Sequence, residues 1–334
     1  MRRKRFSIPV TLLSVLLVAT FFVCCIFVKS TAEEYSVNIT VLQTSDIHGM
    51  INPYNYINNT KTNWGMAHIA TIVKEERIKD PKLLLVDTGD TSQNNYLQYF
   101  RAEKIHPAVK ALNYLDYDLW TPGNHEFNYE FKYLEKQIED FKGEILIGNA
   151  YTQKGERWQK GWHIFEVKGV RVAIFGITAP HIPMWEKENK EHYNYMTFTQ
   201  PIDEVGKILD ELENKADVII GNIHYGLEGT YKSKGIEAIA KTYAGRIDGL
   251  LIGHAHKNVD TEICGIPVLE PGKNGRYIGK LVINVNNKQG KWTVNKDKSY
   301  GELIDVSLSK ADHEFLNEFK ELHQKSLALA YKNK

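Results

Sequence analysis

Short apolar runs alternate along the chain with longer segments of helical spacing. Residues 37–43 alternate in polarity and are rich in β-branched side chains, as strands are. Residues 83–86 and 217–223 are continuous apolar runs, which are typical of strands in sheets covered on both faces. Residues 65–79 and 105–115 show the spacing of amphipathic helices. Strands that alternate with helices predict an α/β architecture.

The same pattern predicts the remaining elements. Further strands are predicted at residues 117–120, 145–147, 162–167, 170–177, 248–252, 266–270, 279–286 and 291–296. Further helices are predicted at residues 128–141, 201–214, 233–243 and 309–334, the last of them charged and with nothing after it to pack upon. In α/β sheets, ligands bind outside the carboxyl ends of the strands. The residues that directly follow the predicted strands are therefore the candidates for a functional site.

The N-terminal segment has the composition of an export signal. Residues 1–5 are rich in Arg and Lys, residues 8–28 are almost uninterrupted apolar sequence, and residues 30–32 are small. We expect residues 1–32 to be a signal peptide. An uncleaved signal anchor is the alternative, because about 20 apolar residues are enough to span a bilayer. Either interpretation predicts an exported protein that is secreted, cell-surface or periplasmic, and that meets a membrane only through this segment.

Composition narrows the class of protein further. The chain has 334 residues with 42 basic and 41 acidic side chains, whereas nucleic-acid-binding domains are typically strongly basic. No DNA partner is therefore expected. Two of the three cysteines, Cys24 and Cys25, lie within the apolar N-terminal run, which leaves Cys264 without a partner for an internal disulfide. The sequence indicates no oligomeric state.

Residues that can bind a metal or move a proton follow five of the predicted strands. They are Asp46 and His48, Asp90, Asn124 and His125, His224, and the pair His254 and His256. Two divalent cations about 3.5 to 4 Å apart need a bridging carboxylate and further ligands on both sides. Asp90 could bridge, and the mixed nitrogen and oxygen donors suit Zn, Mn, Fe or Co. The set predicts two metal ions whose shared hydroxide attacks phosphorus, with His125 assisting the leaving group as a general acid.

These residues resemble the motifs of a known family. Asp-Ile-His, Gly-Asp, Gly-Asn-His-Glu, a lone His and Gly-His-Ala-His occur in the order found in the calcineurin-like metallophosphoesterases, over residues 37–303. The resemblance implies two stacked β-sheets flanked by helices, in a four-layer sandwich. It also implies that Asp46, His48, Asp90 and His256 surround one metal, and that Asp90, Asn124, His224 and His254 surround the other.

Within this family the chain is most similar to the exported nucleotidase branch. The stretches at residues 53–56, 106–113 and 123–129 are similar to those of bacterial 2′,3′-cyclic-nucleotide 2′-phosphodiesterases that also act as 3′-nucleotidases. In the 5′-nucleotidases of the branch, an Asp stands three residues after the catalytic His. Here that residue is Asn128, which carries no charge, so we expect a less basic His125. The change favours cyclic phosphodiester substrates, with Asn128 as a catalytic residue beside His125.

The resemblance also implies a division of the chain. Residues 33–308 correspond to the catalytic domain, and residues 309–334 resemble the helix that links it to a nucleotide-specificity domain in other members. Without that domain, base stacking worth about 1 to 3 kcal/mol per base would be missing, and we expect weak binding and broad selectivity. Asn149 and His181 follow predicted strands and are candidates for substrate binding, although turn and loop roles are open alternatives.

Together these observations predict an exported two-metal phosphoesterase that acts on 2′,3′-cyclic nucleotides and 3′-nucleotides. One alternative is a 5′-nucleotidase or nucleotide-sugar hydrolase. The other is a truncated, non-catalytic surface protein that keeps the metal ligands only to bind metal. Turnover of a model phosphodiester by metal-loaded protein separates the enzymes from the binding protein.

Overall fold

The computed structural model describes residues 34–332. The predicted signal peptide or anchor at residues 1–32 lies outside the described residues. Among the described residues, no helix combines the length and the apolar character needed to cross a membrane.

Strands and helices alternate along the described chain, as the hydrophobic pattern predicts. The strands are β1 (Tyr35–Thr44), β2 (Tyr54–Asn55), β3 (Thr60–Lys61), β4 (Leu84–Asp87), β5 (Leu119–Trp120), β6 (Glu144–Ile145), β7 (Ala150–Tyr151), β8 (Trp162–Val167), β9 (Val170–Ile177), β10 (Thr197–Phe198), β11 (Val218–Ile223), β12 (Gly249–Ile252), β13 (Asn258–Ile263), β14 (Ile266–Pro271), β15 (Tyr277–Lys288), β16 (Lys291–Val294) and β17 (Tyr300–Asp305). The α-helices are α1 (Met66–Lys79), α2 (Pro107–Tyr114), α3 (Phe131–Asp140), α4 (Ile182–Trp185), α5 (Pro201–Glu211), α6 (Ile236–Thr242), α7 (His313–Glu318) and α8 (Lys320–Lys332).

Two large sheets form the centre of the described structure. The first has the strand order β16-β15-β1-β4-β5-β6, and β17 also pairs with the long strand β15. The second has the order β13-β14-β12-β11-β9-β8. Four consecutive strands of each sheet are parallel, namely β1, β4, β5 and β6 in the first and β9, β11, β12 and β14 in the second. The sheets therefore each have an edge at which several carboxyl ends lie side by side.

Apolar side chains of the two sheets pack against each other. Fully buried residues from both sheets, including Val41 and Ile283 from the first and Ile174, Ile220 and Leu251 from the second, form one cluster. Burying each such side chain stabilises the fold by about 1.5–3 kcal/mol. The outer face of the first sheet is covered by α1, α2 and α3, and that of the second by α5 and α6. The predicted stack of two sheets flanked by helices is confirmed.

Several segments differ from the sequence-based prediction, including the short elements β2, β3, β7, β10 and α4, which it lacks. Strands β13 and β17 were not predicted, because β13 is a largely exposed edge strand without apolar alternation and β17 is only partly buried. The helix predicted at residues 128–141 begins later: a short 3₁₀ turn at His125–Phe127 precedes α3.

The C-terminal segment packs on the rest of the chain instead of projecting from it. It consists of two helices, α7 and α8, rather than the single helix that the pattern predicts. Phe315 and Phe319, which lie four residues apart and therefore on one face, are buried in the core that also contains α1. The division into residues 33–308 and 309–334 stays a prediction. Phe315 and Phe319 of the second segment pack against residues of the first.

Candidate metal centre

The predicted ligand residues meet where the two sheets present their carboxyl ends. Asp46 and His48 follow β1, Asp90 follows β4, Asn124 follows β5, His224 follows β11, and His254 and His256 follow β12. Three strands of the first sheet and two of the second thus contribute to one place. Each of these residues was predicted to follow the carboxyl end of a strand, and they were therefore expected to lie close together. The structure agrees with this expectation.

The side chains form two sets that share one carboxylate. The ligand atoms of Asp46, His48, Asp90 and His256 lie within 4.8 Å of one another, and so do those of Asp90, His224 and His254. Asn124 joins the second set, because its Oδ1 lies 3.2 Å from His224 Nε2. Asp90 Oδ2 is 3.1 Å from the same nitrogen. The arrangement could hold two cations with Asp90 between them.

Five of these residues have an unusual backbone conformation. Asp46, His48, Asp90, His254 and His256 have φ angles between 47° and 77° although none is a glycine. The left-handed region costs an L-residue about 1–3 kcal/mol and is concentrated at functional sites. Five residues of one cluster therefore have this unfavourable conformation. This indicates that the positions of their side chains, rather than local stability, determine the backbone here.

Glycines allow the strand ends to approach one another. A Cβ atom on Gly123 would lie 2.3 Å from Asp90 Oδ1, and one on Gly253 would lie 2.1 Å from Ser45 Oγ. Both distances are far shorter than a van der Waals contact. The glycines of the Gly-Asn-His-Glu and Gly-His-Ala-His motifs are thus required for the close packing of the ligand-bearing turns.

The buried carboxylate of Glu126 holds two of these turns together. Its oxygens accept hydrogen bonds from four backbone N–H groups, those of Asp90, Thr91, Ser92 and Gly123, at 2.7 to 2.9 Å. It also accepts the Ser92 hydroxyl at 3.0 Å. The sequence analysis quoted Glu126 within its motif but gave it no role. The structure shows that it fixes the Asp90 loop relative to the turn that carries Asn124.

The cluster concentrates negative charge next to one protonated imidazole, that of His224, and two neutral ones, those of His48 and His254; a cation bound at His224 would displace its proton. Burial alone would lower the pKa of His224, but the carboxylates of Asp90 and Asp46 raise it to about 10. Burial alone would raise the pKa of Asp90, but the neighbouring His224 imidazole holds it far below its usual range. Burial lowers the pKa of His48 and of His254 to about 4, so both rings have a free lone pair at neutral pH. Ionised carboxylates and neutral imidazoles are the forms that bind metal ions.

Two further observations test whether the residues fit metal ions. Asp46 Oδ1 is buried and has no hydrogen-bond partner within residues 34–332, and His48 Nε2 faces His256 Nε2 at 3.0 Å. Orphaned oxygens and opposed ring nitrogens are expected where a cation satisfies several ligands at once. His224 donates its Nδ1–H to the Thr88 carbonyl at 2.6 Å, which directs Nε2 towards the other ligands. The donors are nitrogen and oxygen atoms, so the cluster fits the predicted class of divalent ions.

His125 lies beside the cluster and belongs to a chain of side-chain hydrogen bonds. Its Nε2 is 3.9 Å from Asp90 Oδ2, and 34% of its side chain is exposed. Its Nδ1 is 2.5 Å from Asn128 Oδ1, and Asn128 Nδ2 donates to Glu186 Oε1 at 2.8 Å. His192 Nδ1 lies 2.9 Å from the other oxygen of Glu186. The Glu186 carboxylate thus contacts Asn128, which in turn contacts His125. No local sequence signal indicated this carboxylate.

The two candidate substrate-binding residues lie in different surroundings. Asn149 is fully buried, and its amide is bonded to the backbone of Thr178 and Thr199, so its polar side-chain atoms are engaged within the fold. Its contact with a phosphate stays a prediction. His181 lies among aromatic rings near the second ligand set, 5.7 Å from Trp185 and 5.1 Å from Tyr231 between ring centroids.

Comparison with known proteins agrees with this geometry. Residues 39–258 match the family model described as calcineurin-like phosphoesterase. The chain belongs to the calcineurin-like phosphoesterase family. This confirms the predicted family and supports a phosphoester hydrolase. Members of this family usually bind a dinuclear metal centre, and the identity of the ions is left open.

The relatives give the family match more detail. The chain is 29% identical to the trifunctional nucleotide phosphoesterase protein YfkN of Bacillus subtilis, over 89% of this chain and 23% of that protein. It is 28% identical to a 2′,3′-cyclic-nucleotide 2′-phosphodiesterase/3′-nucleotidase of Yersinia enterocolitica, over 82% of this chain and 47% of that protein. A crystal structure of the calcineurin-like phosphoesterase YfkN from Bacillus subtilis superposes with a TM-score of 0.81 and 27% identity, covering 89% of this chain and all of that one. The chain thus spans less than half the length of these two curated relatives.

Proposed function

We propose that this chain is a two-metal hydrolase of nucleoside phosphates, with 2′,3′-cyclic nucleotides and 3′-nucleotides as substrates. The observation that carries the proposal is the pair of ligand sets sharing Asp90, with His125 Nε2 only 3.9 Å from the shared carboxylate. A phosphoester bound between the two sets would have a proton donor within reach of its leaving oxygen. The printed names of the relatives, a nucleotide phosphoesterase and a cyclic-nucleotide phosphodiesterase, support the substrate class.

The ligand roles follow from the two sets. Asp46, His48, Asp90 and His256 would hold one ion, and Asp90, Asn124, His224 and His254 would hold the other. When bound, two divalent ions supply a nucleophilic hydroxide at neutral pH and stabilise negative charge on the phosphoryl oxygens. Their identity is proposed as Mn, Zn, Fe or Co from the nitrogen and oxygen donors.

His125 would handle the proton of the leaving oxygen. The Asn128 amide oxygen accepts from His125 Nδ1–H, which leaves Nε2–H free to donate towards the cluster. Breaking the P–O bond transfers that proton to the ribose oxygen, so the leaving group departs as a neutral hydroxyl. His125 would be the general acid, and Asn128 would keep its ring oriented.

A 5′-nucleotidase remains the second candidate, because of one structural observation. Asn128 carries no charge, but the Glu186 carboxylate accepts a hydrogen bond from its amide at 2.8 Å. In 5′-nucleotidases an Asp carboxylate supports the catalytic His directly. Here the Glu186 carboxylate would support His125 through Asn128. Rates on cyclic, 3′- and 5′-phosphates of the same nucleoside separate the two candidates.

One assay tests the proposal as a whole. The purified chain is stripped with EDTA, reloaded separately with Mn²⁺, Zn²⁺, Fe²⁺ or Co²⁺, and analysed for metal content and for hydrolysis of bis(p-nitrophenyl) phosphate and of the three nucleotide classes. We expect about two ions per chain, and turnover that disappears with EDTA and returns with at least one metal. Bound metal without turnover of any substrate would favour the non-catalytic alternative. Faster hydrolysis of 5′-nucleotides than of cyclic and 3′-substrates would favour the second candidate.

Export is part of the proposal and depends on residues 1–32. The basic start and the apolar run of this segment support it. Fractionation of cells that express the full chain tests it. Protein confined to the cytoplasmic fraction with its N-terminus intact would contradict it, while recovery from the membrane with an intact N-terminus would identify the anchor.

A further inference from the structure

An aromatic cavity of about 290 Å³ opens beside the second ligand set. Its walls include Trp185, Tyr225 and Tyr231, and His254 forms part of the same wall. Small-molecule sites in proteins have volumes from about 300 Å³ upwards and are lined mainly by apolar and aromatic side chains. At about 290 Å³ the cavity is close to the lower end of this range, so it has room for part of a substrate whose phosphate lies at His254 rather than for a whole nucleotide.

The aromatic rings offer stacking surfaces in a defined arrangement. The Trp185 ring stacks on the His254 imidazole, with ring centroids 5.4 Å apart and planes inclined by 30°. Tyr231 contacts Trp185 edge-to-face, with centroids 6.3 Å apart and planes inclined by 63°. The Tyr231 residue is 60% exposed, so its ring is not used to build the core. An exposed aromatic ring at the mouth of a cavity is suited to contact a planar ligand.

The loop that carries Tyr231 is fixed by buried contacts. The hydroxyl of the fully buried Tyr225 accepts a hydrogen bond from the Thr230 N–H at 2.9 Å and donates one to the Thr230 carbonyl at 3.2 Å. A Cβ on Gly229, which has a φ of 78°, would lie 2.5 Å from Gly235 N, so the two ends of the loop pack closely. The aromatic wall is thus built on a constrained loop, as a binding site requires.

Charge distinguishes this cavity from a second one on the other side of the centre. Glu228 and Lys257 at the aromatic cavity pair at 3.3 Å, so their charges cancel. The second cavity, of about 540 Å³ beside His256, contains two basic side chains, Lys273 and Arg276, against one carboxylate, Asp305. The Arg276 guanidinium lies 4.6 Å above the Trp64 ring. A neutral planar group fits the aromatic cavity better, whereas the basic cavity favours an anion.

We infer that the aromatic cavity binds the nucleobase of the substrate, which packs against Trp185 and Tyr231 while the phosphate lies at the two ligand sets. The inference rests on the proposed function and extends it to base recognition, and it replaces the expectation from sequence that base stacking is missing from this chain. The segment after α4 supports the placement, because Glu186, the neighbour of Trp185, bonds to Asn128 and thereby supports His125. His125 would protonate the oxygen of the leaving nucleoside, so the base should lie on this side of the centre.

The test compares substrates with and without a base. For the metal-loaded full chain, kcat/KM is measured for adenosine 3′-monophosphate and for ribose 3-phosphate, and the ratio of the two values is the readout. Stacking on aromatic side chains changes affinity by on the order of tenfold to a hundredfold per base. We expect a ratio in this range for the unmodified chain, a ratio near one for Trp185→Ala, an intermediate value for Tyr231→Ala, and a largely preserved value for Trp185→Phe.

Trp64→Ala is the matched control, because Trp64 stands in the basic cavity. Adenosine binding, followed by saturation-transfer NMR, gives a readout that needs no turnover, and we expect it to weaken in Trp185→Ala and not in Trp64→Ala. Ratios and adenosine binding that are unchanged in both Trp185→Ala and Tyr231→Ala would overturn the inference while leaving the proposed function in place. A loss confined to Trp64→Ala would overturn it in favour of the basic cavity. Adenosine binding that depends on Trp185 would support the inference even if no nucleotide were hydrolysed. The absence of hydrolysis would instead refute the proposed function.

Discussion

The two sides of the candidate centre are held in different ways. On the ligand side, Asp46, Asp90 and His224 are buried, and they follow strands whose positions are set by two sheets. On the other side, where the proposal places proton transfer, His125 is one-third exposed, and its ring is oriented by side chains, through Asn128 to Glu186. We call this the proton-transfer side. The ligand side is therefore part of the core, whereas the proton-transfer side lies at the edge of the core and is partly exposed.

This difference separates two properties of the enzyme. Metal binding should depend on groups that also stabilise the fold, so that it tolerates few substitutions. The rate and the choice of leaving group should depend on surface contacts that can change without loss of the fold. Substitutions on the two sides should therefore alter different measurements.

The largest effect is expected where the two ligand sets meet. Asp90→Asn removes the shared negative charge, so we expect fewer than two ions per chain and a fall in turnover of roughly a thousandfold or more. Metal analysis and steady-state rates measure the two effects. Asp260→Asn, on the exposed edge strand β13, is the control and should change neither. Full occupancy of both ions in Asp90→Asn would show that Asp90 is not shared between them.

His125→Asn should instead lower the rate while both ions stay bound. Loss of a general acid typically costs about 10²- to 10⁴-fold in rate. Because p-nitrophenolate leaves without protonation, the loss should be much smaller for bis(p-nitrophenyl) phosphate than for a 3′-nucleotide. Rates on the two substrates with metal content measured in parallel test this. Equal losses on both, or loss of metal, would place His125 on the ligand side of the comparison.

The ligand side was predictable from sequence because its geometry is local. A residue just after a parallel strand lies at the same sheet edge as its counterparts, so Asp46, Asp90 and His224 could be brought together without a structure. The family resemblance then grouped them into two sets. The positive φ angles of five candidate ligands were not predictable, because Asp and His are enriched in the left-handed region but adopt it in only a small fraction of cases, so the residue types alone do not indicate which of them do.

The proton-transfer side was only half predictable. Asn128 was identified because the resemblance to the 5′-nucleotidases implies an Asp three residues after the catalytic His, and Asn128 stands at that position. Glu186 and Trp185 are about 60 residues further along the chain, and their position depends on how the loop after β9 packs against the turn after β5. Contacts of that range arise from tertiary packing, and a single sequence carries no pattern for them.

Glu126→Gln should affect the ligand side moderately. The amide retains one acceptor oxygen but directs an NH₂ group towards backbone N–H donors, so buried donors lose their partners at a cost of about 1–3 kcal/mol. Since these donors position the Asp90 loop, metal affinity should fall by about 10- to 100-fold. Thermal unfolding and metal titration measure the two effects. Glu130→Gln is the control, because Glu130 is exposed and its side chain makes no capping hydrogen bond to α3. A change in stability with unaltered metal affinity would limit Glu126 to a structural role.

Glu186→Gln should have the smallest effect, and only on the rate. Glutamine can still accept the hydrogen bond from Asn128 Nδ2, but it removes the charge that strengthens this contact and the pair with His192. We expect kcat on 3′-nucleotides to fall by about two- to tenfold, with metal content and the rate on bis(p-nitrophenyl) phosphate nearly unchanged. Glu188→Gln, whose side chain is 83% exposed, is the matched control. Because the substitution leaves every ligand in place, a fall in metal content would show that the two sides are coupled through the Asp90 and His125 contact. Equal rates for Glu186→Gln and the unmodified chain on all substrates would instead show that the carboxylate only anchors the loop after α4.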